Sequence, residues 1–86
     1  MMETGKLMYA DKVREILQKH SRLDVDFNGV DNDDDLYEVG LTSLTSVNIM
    51  LAIEDEFDIE FPDSRLRRQT FDSIQSLVDV VKELVI

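Results

Sequence analysis

A serine near the middle of the chain is the residue best placed to take part in chemistry. Ser43 lies in residues 40–44, GLTSL, whose spacing is not that of the G-x-S-x-G nucleophile elbow. The single histidine, His20, falls on the apolar face of the first predicted helix, where we expect a packing or boundary residue. Cysteine is absent, which excludes a thiolate nucleophile and a Cys-based metal site. Because no base is evident near Ser43, we expect no catalytic activity.

Ser43 also stands at the predicted start of a helix. Unpaired backbone N–H groups and the positive end of the helix dipole favour an anion there, so a phosphate ester on Ser43 is electrostatically well placed. The unmodified hydroxyl has no activating partner, so another protein would have to attach the group. The alternative is that Ser43 only caps the helix, and these physical arguments alone favour that alternative.

The acidic segment before this helix raises a second kind of site, for calcium. Asp24, Asp26, Asn28 and Gly29 occupy positions 1, 3, 5 and 6 of an EF-hand loop, and Asp35 occupies position 12. Position 12 is normally a bidentate Glu, and position 8 is normally apolar rather than an aspartate. An acidic calcium- or protein-binding module with this loop and no prosthetic group is the alternative function. Loose binding of divalent cations is its weaker form.

Helices are predicted to position these residues. Apolar residues recur at three- and four-residue spacing over 5–20, and a second helix is predicted over residues 43–57 with Thr42 as its N-cap. This second helix carries two apolar rows, a core row of Ile49, Ile53 and Phe57 and a neighbouring row of Leu44, Val47 and Leu51. The two rows give it more apolar surface than one buried stripe requires.

The rest of the chain completes a helical bundle. Residues 64–68 are predicted as a short third helix, and the last helix begins after Asp72 with a continuous apolar stripe. Residues 21–41 lack either period and are predicted to form a long loop that its apolar side chains pin to the core. The predicted fold class is all-α, a small four-helix bundle with a long loop between the first two helices, in a single domain over 1–86.

Charge is the strongest feature of the composition. The 86 residues include 19 Asp and Glu against 9 Lys and Arg, a formal charge of −10. Residues 23–64 hold 13 of these acids and no Lys or Arg. This acidity argues against binding to nucleic acid or an anionic membrane and favours a basic protein partner, although it also serves solubility. Since no stretch reaches the length of a membrane span, we expect a soluble, cytoplasmic monomer.

Four short segments stand at a specific spacing between residue 34 and the end of the chain. They are 35–40 (DLYEVG), 40–44 (GLTSL), 53–63 (IEDEFDIEFPD) and 70–74 (TFDSI). Together they resemble the acyl carrier protein family. The resemblance implies 4′-phosphopantetheine on Ser43, installed from coenzyme A by a phosphopantetheinyl transferase with magnesium. The thiol of this arm would hold an acyl group as a thioester and so supply the sulfur that the chain lacks.

The resemblance also implies a task for the second predicted helix. In the family, the exposed face of this helix docks onto partner enzymes through apolar contacts near its start and acidic contacts further along. Transferred to this sequence, the docking residues are Leu44, Val47, Asn48, Leu51, Glu54 and Asp55. The implied partners are a ligase that loads an acyl or aminoacyl group and downstream acyltransferase or synthase enzymes. Burial of the apolar row against the long loop is the alternative.

Three positions depart from the family pattern. Thr42 replaces the usual acid before the serine, and Thr45 and Asn48 are neutral where acids are frequent. The non-acidic residue before the serine, together with residues 50–54 (MLAIE) and 57–63 (FDIEFPD), is similar to a specialised bacterial subgroup. This subgroup includes aminoacyl carrier proteins, which are charged by ligases resembling truncated aminoacyl-tRNA synthetases. The cargo stays open between an amino acid and a fatty, polyketide or other acyl group.

Overall fold

The computed structural model describes residues 4–85, which form four α-helices joined by turns. The helices are α1 (Thr4–His20), α2 (Leu36–Val39), α3 (Ser43–Phe57) and α4 (Ile74–Leu84), with 3-10 turns at Phe27–Gly29, Asp63–Arg65 and Arg68–Phe71. These residues include no β-strand, and the predicted all-α, four-helix fold is confirmed. No helix among them is both long and apolar enough to cross a bilayer.

The hydrophobic core lies between α1, α3 and α4, each of which buries one apolar face against the others. Its fully buried side chains are Val13, Leu17, Ile49, Ile53, Ile74, Leu77 and Val81. The core row predicted for α3 is therefore present, and its third member, Phe57, is half-buried. The Phe57 ring meets the Tyr9 ring edge-on, with 5.8 Å between the ring centroids. Leu7, one of the apolar residues that recur over 5–20, lies outside the side chains that the structure describes. Burying each aliphatic side chain stabilises the fold by about 1.5–3 kcal/mol.

The connection between α1 and α3 contains more regular structure than the loop predicted for residues 21–41. Asp26 and Asp35 each accept the backbone N–H two residues ahead, at 3.0 and 2.9 Å, and so begin a 3-10 turn and α2. Neither element exceeds about one turn, so neither produces a periodic pattern in the sequence. The expected pinning to the core is confirmed by the buried side chains of Phe27, Val30 and Leu36.

Two polar side chains of α1 hold this connection in place. Arg14 donates to the carbonyl oxygens of Phe27 and Val30, the latter at 2.6 Å, and to Asn32 Oδ1 at 2.5 Å. The Gln18 amide both donates to and accepts from the backbone of the same segment, at 2.8 and 2.9 Å. These contacts satisfy backbone groups that the irregular conformation leaves without partners in a helix or sheet.

We expect Arg14→Ala to lower the free energy of unfolding by about 2–3 kcal/mol, since hydrogen bonds to a charged group contribute about 1.5–3 kcal/mol and three acceptors lose their donor. Urea denaturation would measure the change. Lys19→Ala, on the same helix, is the control, because the exposed Lys19 makes a long ion pair with Glu15 at 3.9 Å and should matter by less than about 1 kcal/mol. Equal losses in the two variants would contradict the anchoring role of Arg14.

The short third helix predicted over residues 64–68 is replaced by two separate 3-10 turns. Leu66 (ψ 70°) and Arg67 (φ −142°, ψ 164°) leave the helical region and separate the turns. The second turn buries Phe71, whose ring stacks on Phe61 with 5.8 Å between centroids. This extended break determines which side chains of the segment lie beside the start of α3.

Candidate functional site

Ser43 is the first residue of α3, and its side chain is exposed. The residue before it does the capping. Thr42 Oγ1 accepts the Thr45 N–H at 3.2 Å, while Thr45 Oγ1 accepts the Thr42 N–H at 2.8 Å, which is a reciprocal capping box. Within residues 4–85 the Ser43 hydroxyl makes no hydrogen bond. Capping therefore does not occupy Ser43, and its hydroxyl is available for another role.

The turn that leads into α3 depends on Gly40. Its φ of 133° is a conformation that L side chains rarely adopt, and an added Cβ would lie 3.0 Å from Leu23 Cδ2. The N–H groups of Gly40 and Leu41 both donate to the Leu36 carbonyl oxygen, at 3.1 and 2.9 Å. Glycine is thus favoured here by the backbone angle, and any other side chain would also have to displace the end of the Leu23 side chain. The tight turn fixes where α3 begins relative to α2.

A cavity of about 390 Å³ opens beside Ser43, with walls from α2, α3 and residues 66–71. Its lining is mostly apolar and includes Val47, Met50, Leu66 and Phe71. Arg67 and Arg68 are the only charged residues in the lining that the structure describes. In a chain with a net charge of −10, the surroundings of Ser43 therefore carry positive charge.

Both arginines at this cavity are held by contacts with neighbouring residues. The Arg68 guanidinium carbon lies 3.8 Å from the centroid of the Tyr37 ring, and the Tyr37 hydroxyl donates to the Arg68 carbonyl oxygen at 3.1 Å. Arg67 Nε donates to the Ser64 carbonyl oxygen at 3.1 Å. Neither guanidinium takes part in an ion pair among residues 4–85.

Their neighbour Arg65 is in a different state. Its guanidinium forms a bidentate pair with Glu83, at 2.5 and 3.1 Å, and the hydrogen bond with that carboxylate raises the pKa of Arg65. None of these arginines was predicted as a site residue. The available signal was the clustering of three arginines in residues 65–68, directly after a long segment with no basic residue.

The second apolar row of α3, which lies next to its buried core row, is exposed. Leu44, Val47 and Leu51, which we call the α3 stripe, are 75%, 48% and 53% exposed. The alternative that this row is buried against the long connection is therefore wrong. Asn48 and Asp55, two further residues predicted to contact partners, are also exposed. The structure thus presents five of the six predicted docking residues to solvent.

The sixth, Glu54, differs from the prediction. Its side chain is partly buried, and its Oε2 accepts the backbone N–H of Phe61 at 2.8 Å. This contact ties the segment after α3 back onto the helix and helps to bury Phe61. The carboxylate of Glu54 therefore has a structural role, and the exposed Asp55 is the better representative of acidic contacts at this end of α3.

We expect Glu54→Ala to lower the free energy of unfolding by about 1–2 kcal/mol, because the buried Phe61 N–H then loses its acceptor. Asp55→Ala is the matched control, since it removes a neighbouring exposed carboxylate and should change stability by less than about 0.5 kcal/mol. Thermal or urea denaturation of both variants would measure the difference. A loss confined to Asp55→Ala would show that the Glu54 contact contributes nothing to folding.

A second group of basic side chains lies on the opposite flank of α3. Lys19, His20 and Arg22, at the end of α1, line a cavity of about 430 Å³ together with Asn48, Leu51 and Asp55. His20 is exposed as the last residue of α1, so of the two predicted roles, packing or boundary, it has the boundary one. The α3 stripe is thus bordered by positive charge on both sides.

The EF-hand alternative has no support in the structure. Asp26 and Asp35 are engaged as caps, and an oxygen of Asp34 accepts the Asp31 N–H at 2.9 Å. Within residues 4–85, no group of three or more His, Cys, Asp or Glu side chains is arranged to hold a metal ion. The aspartates of this segment therefore serve its turns instead of converging on a cation.

Comparison with known proteins identifies the family. The family model described as the phosphopantetheine attachment site matches residues 11–81. An aminoacyl carrier protein of Agrobacterium fabrum is 47% identical over 70 residues, which cover 81% of this chain and 84% of that protein.

Solved structures agree with these matches. One contains an engineered Bradyrhizobium japonicum glycine:[carrier protein] ligase with a carrier protein from Agrobacterium tumefaciens and ATP. Its matching chain is 44% identical to this one and superposes with a TM-score of 0.83. The match covers 87% of this chain and 97% of that one. Another contains the Bradyrhizobium japonicum ligase with glycylated carrier protein, at 27% identity and a TM-score of 0.72, covering 86% and 97%. The chain therefore belongs to the phosphopantetheine attachment family of carrier proteins and, within it, to the aminoacyl carrier proteins.

Proposed function

We propose that Ser43 bears the 4′-phosphopantetheine of this carrier and that the cargo is an aminoacyl group held as a thioester. The observation that carries the proposal is the position of Ser43. It offers an exposed hydroxyl on the first residue of α3, while Thr42 caps the helix in its place. The family match, which spans residues 11–81, includes this position.

The surroundings of Ser43 suit the group. A phosphodiester on its hydroxyl would lie at the positive end of α3, next to a cavity whose lining contains no Asp or Glu among the described residues. The apolar wall of that cavity, which includes Val47, Met50 and Phe71, offers contact to the aliphatic parts of the arm. When attached, the group supplies a thiol, which the cysteine-free chain does not have.

The chain's own residues act as acceptor and platform. The Ser43 oxygen would form the new bond to the phosphorus of coenzyme A that carries pantetheine, and the bond from this phosphorus to adenosine 3′,5′-bisphosphate would break and release that group. The Ser43 proton would pass to a base of the transferase, since no described side chain hydrogen-bonds to the hydroxyl. Thr42 and Thr45 keep the first turn of α3 rigid, so the point of attachment is held in place. We propose that the chain catalyses no step itself and that partner enzymes supply the chemistry.

The α3 stripe is the proposed docking surface for these partners. Three exposed apolar side chains on one helix face are typical of a helix that packs against a partner protein. The exposed Asn48 and Asp55 would form the polar rim of the contact. We propose that an aminoacyl-loading ligase and a downstream acyltransferase bind this face in turn. The relatives' structures with a glycine ligase make glycine the first cargo to test.

The attachment site is tested by incubating the chain with coenzyme A, magnesium and a promiscuous phosphopantetheinyl transferase and measuring the intact mass. We expect the gain of one phosphopantetheine. Cleavage after Glu38 and Glu54 isolates residues 39–54, and fragmentation of that peptide assigns the modified residue among Thr42, Ser43, Thr45 and Ser46. Modification at another residue, or none with several transferases, would contradict the proposal.

The cargo is tested on the modified chain with ligases of two kinds. A glycine:[carrier protein] ligase with ATP and glycine should add one glycyl group, and hydroxylamine should remove it, as expected for a thioester. An acyl ligase with a fatty acid is the comparison. Loading by the acyl ligase alone would replace the aminoacyl cargo with a fatty acyl one and would leave Ser43 as the attachment residue.

A further inference from the structure

We propose that Arg67 and Arg68 bind the phosphodiester that joins the 4′-phosphopantetheine arm to Ser43. The proposal rests on the proposed attachment at Ser43 and adds a binding site for the root of the arm. This site comes from the segment between α3 and α4, which the predicted docking residues do not include. The root of the arm would then lie over the cavity beside Ser43, on the side of α3 that faces the two arginines.

The two charges lie at the cavity that contains Ser43. Arg67 and Arg68 line the same cavity as Ser43, and they are its only charged residues among those described. Elsewhere the chain is strongly acidic, with 13 acids and no Lys or Arg over residues 23–64. A cavity that carries positive charge in such a chain, beside a hydroxyl that receives an anion, has the sign required for a phosphodiester.

Neither guanidinium is paired with a carboxylate among the described residues. The Arg68 guanidinium carbon lies over the Tyr37 ring, 3.8 Å from its centroid, and Arg67 uses only its Nε, on the Ser64 carbonyl oxygen. Arg65, in contrast, is already bound by Glu83 through both Nε and Nη2. Arg67 and Arg68 therefore keep terminal N–H donors, and a pre-organised planar fork of this kind matches the oxygens of a phosphate.

A comparable basic pair lies beside α3, at and just after the end of α1. Lys19 and Arg22 line the cavity next to Leu51 and Asp55, and neither lines the cavity that contains Ser43. The structure thus provides two pairs of positive charges flanking one helix, of which a single pair shares a cavity with the attachment residue. Removing each pair separates local binding of the phosphodiester from the general effect of net charge.

The experiment compares the modified wild type with Arg67→Gln/Arg68→Gln and with Lys19→Gln/Arg22→Gln, after intact mass has confirmed one arm on each. The readout is the ³¹P chemical shift of the phosphodiester at low salt and at about 1 M NaCl, where charge interactions are screened over about 3 Å. We expect the wild type and the Lys19/Arg22 variant to share one shift. The Arg67/Arg68 variant should differ from both, and salt should move the wild type towards it.

A second measurement needs no variant. In the ¹H–¹⁵N spectrum of the wild type, the Nε–H signals of Arg67 and Arg68 should move between the unmodified and the modified chain, while that of Arg65 should not. Identical ³¹P shifts in all three proteins, with unmoved Arg67 and Arg68 signals, would overturn this inference and leave the attachment at Ser43 intact. Failure to gain the arm at all would overturn the proposed function itself.

Discussion

Ser43→Ala should abolish attachment of 4′-phosphopantetheine, from one group per chain in the wild type to none. The reason is chemical, because the alanine side chain has no oxygen to form the phosphodiester. The fold should persist, because the capping box of Thr42 and Thr45 does not use the Ser43 hydroxyl. Intact mass after incubation with coenzyme A, magnesium and the transferase gives the stoichiometry, and circular dichroism checks the helical content.

Ser46→Ala is the matched control for this variant. Ser46 is the other serine that lines the cavity, but it is buried and its hydroxyl donates to the Thr42 carbonyl oxygen at 2.8 Å. It should therefore accept the arm as the wild type does. If Ser43→Ala still gains a full phosphopantetheine, the arm is attached elsewhere. If Ser46→Ala loses it while folded, Ser46 takes the place of Ser43 in the proposal.

Replacing the α3 stripe with glutamine should have the second-largest effect, on loading by the ligase. In protein interfaces, a dominant central side chain contributes about 2 kcal/mol to binding, which corresponds to a factor of roughly 30 in affinity. We therefore expect Leu44→Gln/Val47→Gln/Leu51→Gln to lower the kcat/KM of aminoacyl loading by a factor of roughly 100 or more. The three residues are half to three-quarters exposed, so polar replacement should not unfold the chain.

Leu66→Gln is the comparison for surface hydrophobicity, because Leu66 is 46% exposed and lines the Ser43 cavity from the segment after α3 without belonging to the α3 stripe. Each protein is first converted to the modified form and checked by mass, so that loading is measured apart from attachment. We expect the Leu66 variant to load within a few-fold of the wild type. Normal loading of the stripe variant would refute the stripe as the docking surface, and an equal loss with Leu66 would extend that surface beyond α3.

Much of the fold follows from periodic spacing of apolar residues. The helices α1, α3 and α4 are long enough to repeat a buried face, and Ile49 and Ile53 lie fully buried as their spacing predicts. The start of α3 could also be predicted from sequence, since Thr42 is a residue type that caps helices. Sequence indicated a surplus apolar face on α3, because its two rows exceed one buried stripe, but it left burial of the α3 stripe against the long loop as an alternative that the structure excludes.

Features that depend on contacts between distant residues could not be predicted in this way. The Glu54 carboxylate turns towards Phe61, and no pattern distinguishes it from its exposed neighbour Asp55. The α2 helix is one turn long, and its first N–H donates to the Asp72 carbonyl oxygen, far along the chain. Arg67 reaches the cavity because its backbone is extended. Secondary-structure propensities do not specify such a conformation in so short a segment.

The division of labour between Thr42 and Ser43 has a consequence for repeated use of the molecule. In many helices the residue that opens the first turn would have to give up its cap in order to be esterified. Here the hydrogen bonds of the first turn are made by Thr42 and Thr45, and none of them involves the Ser43 hydroxyl. Attachment of the arm therefore breaks none of the capping hydrogen bonds of α3, and the first turn of the helix stays capped through each cycle of loading and discharge.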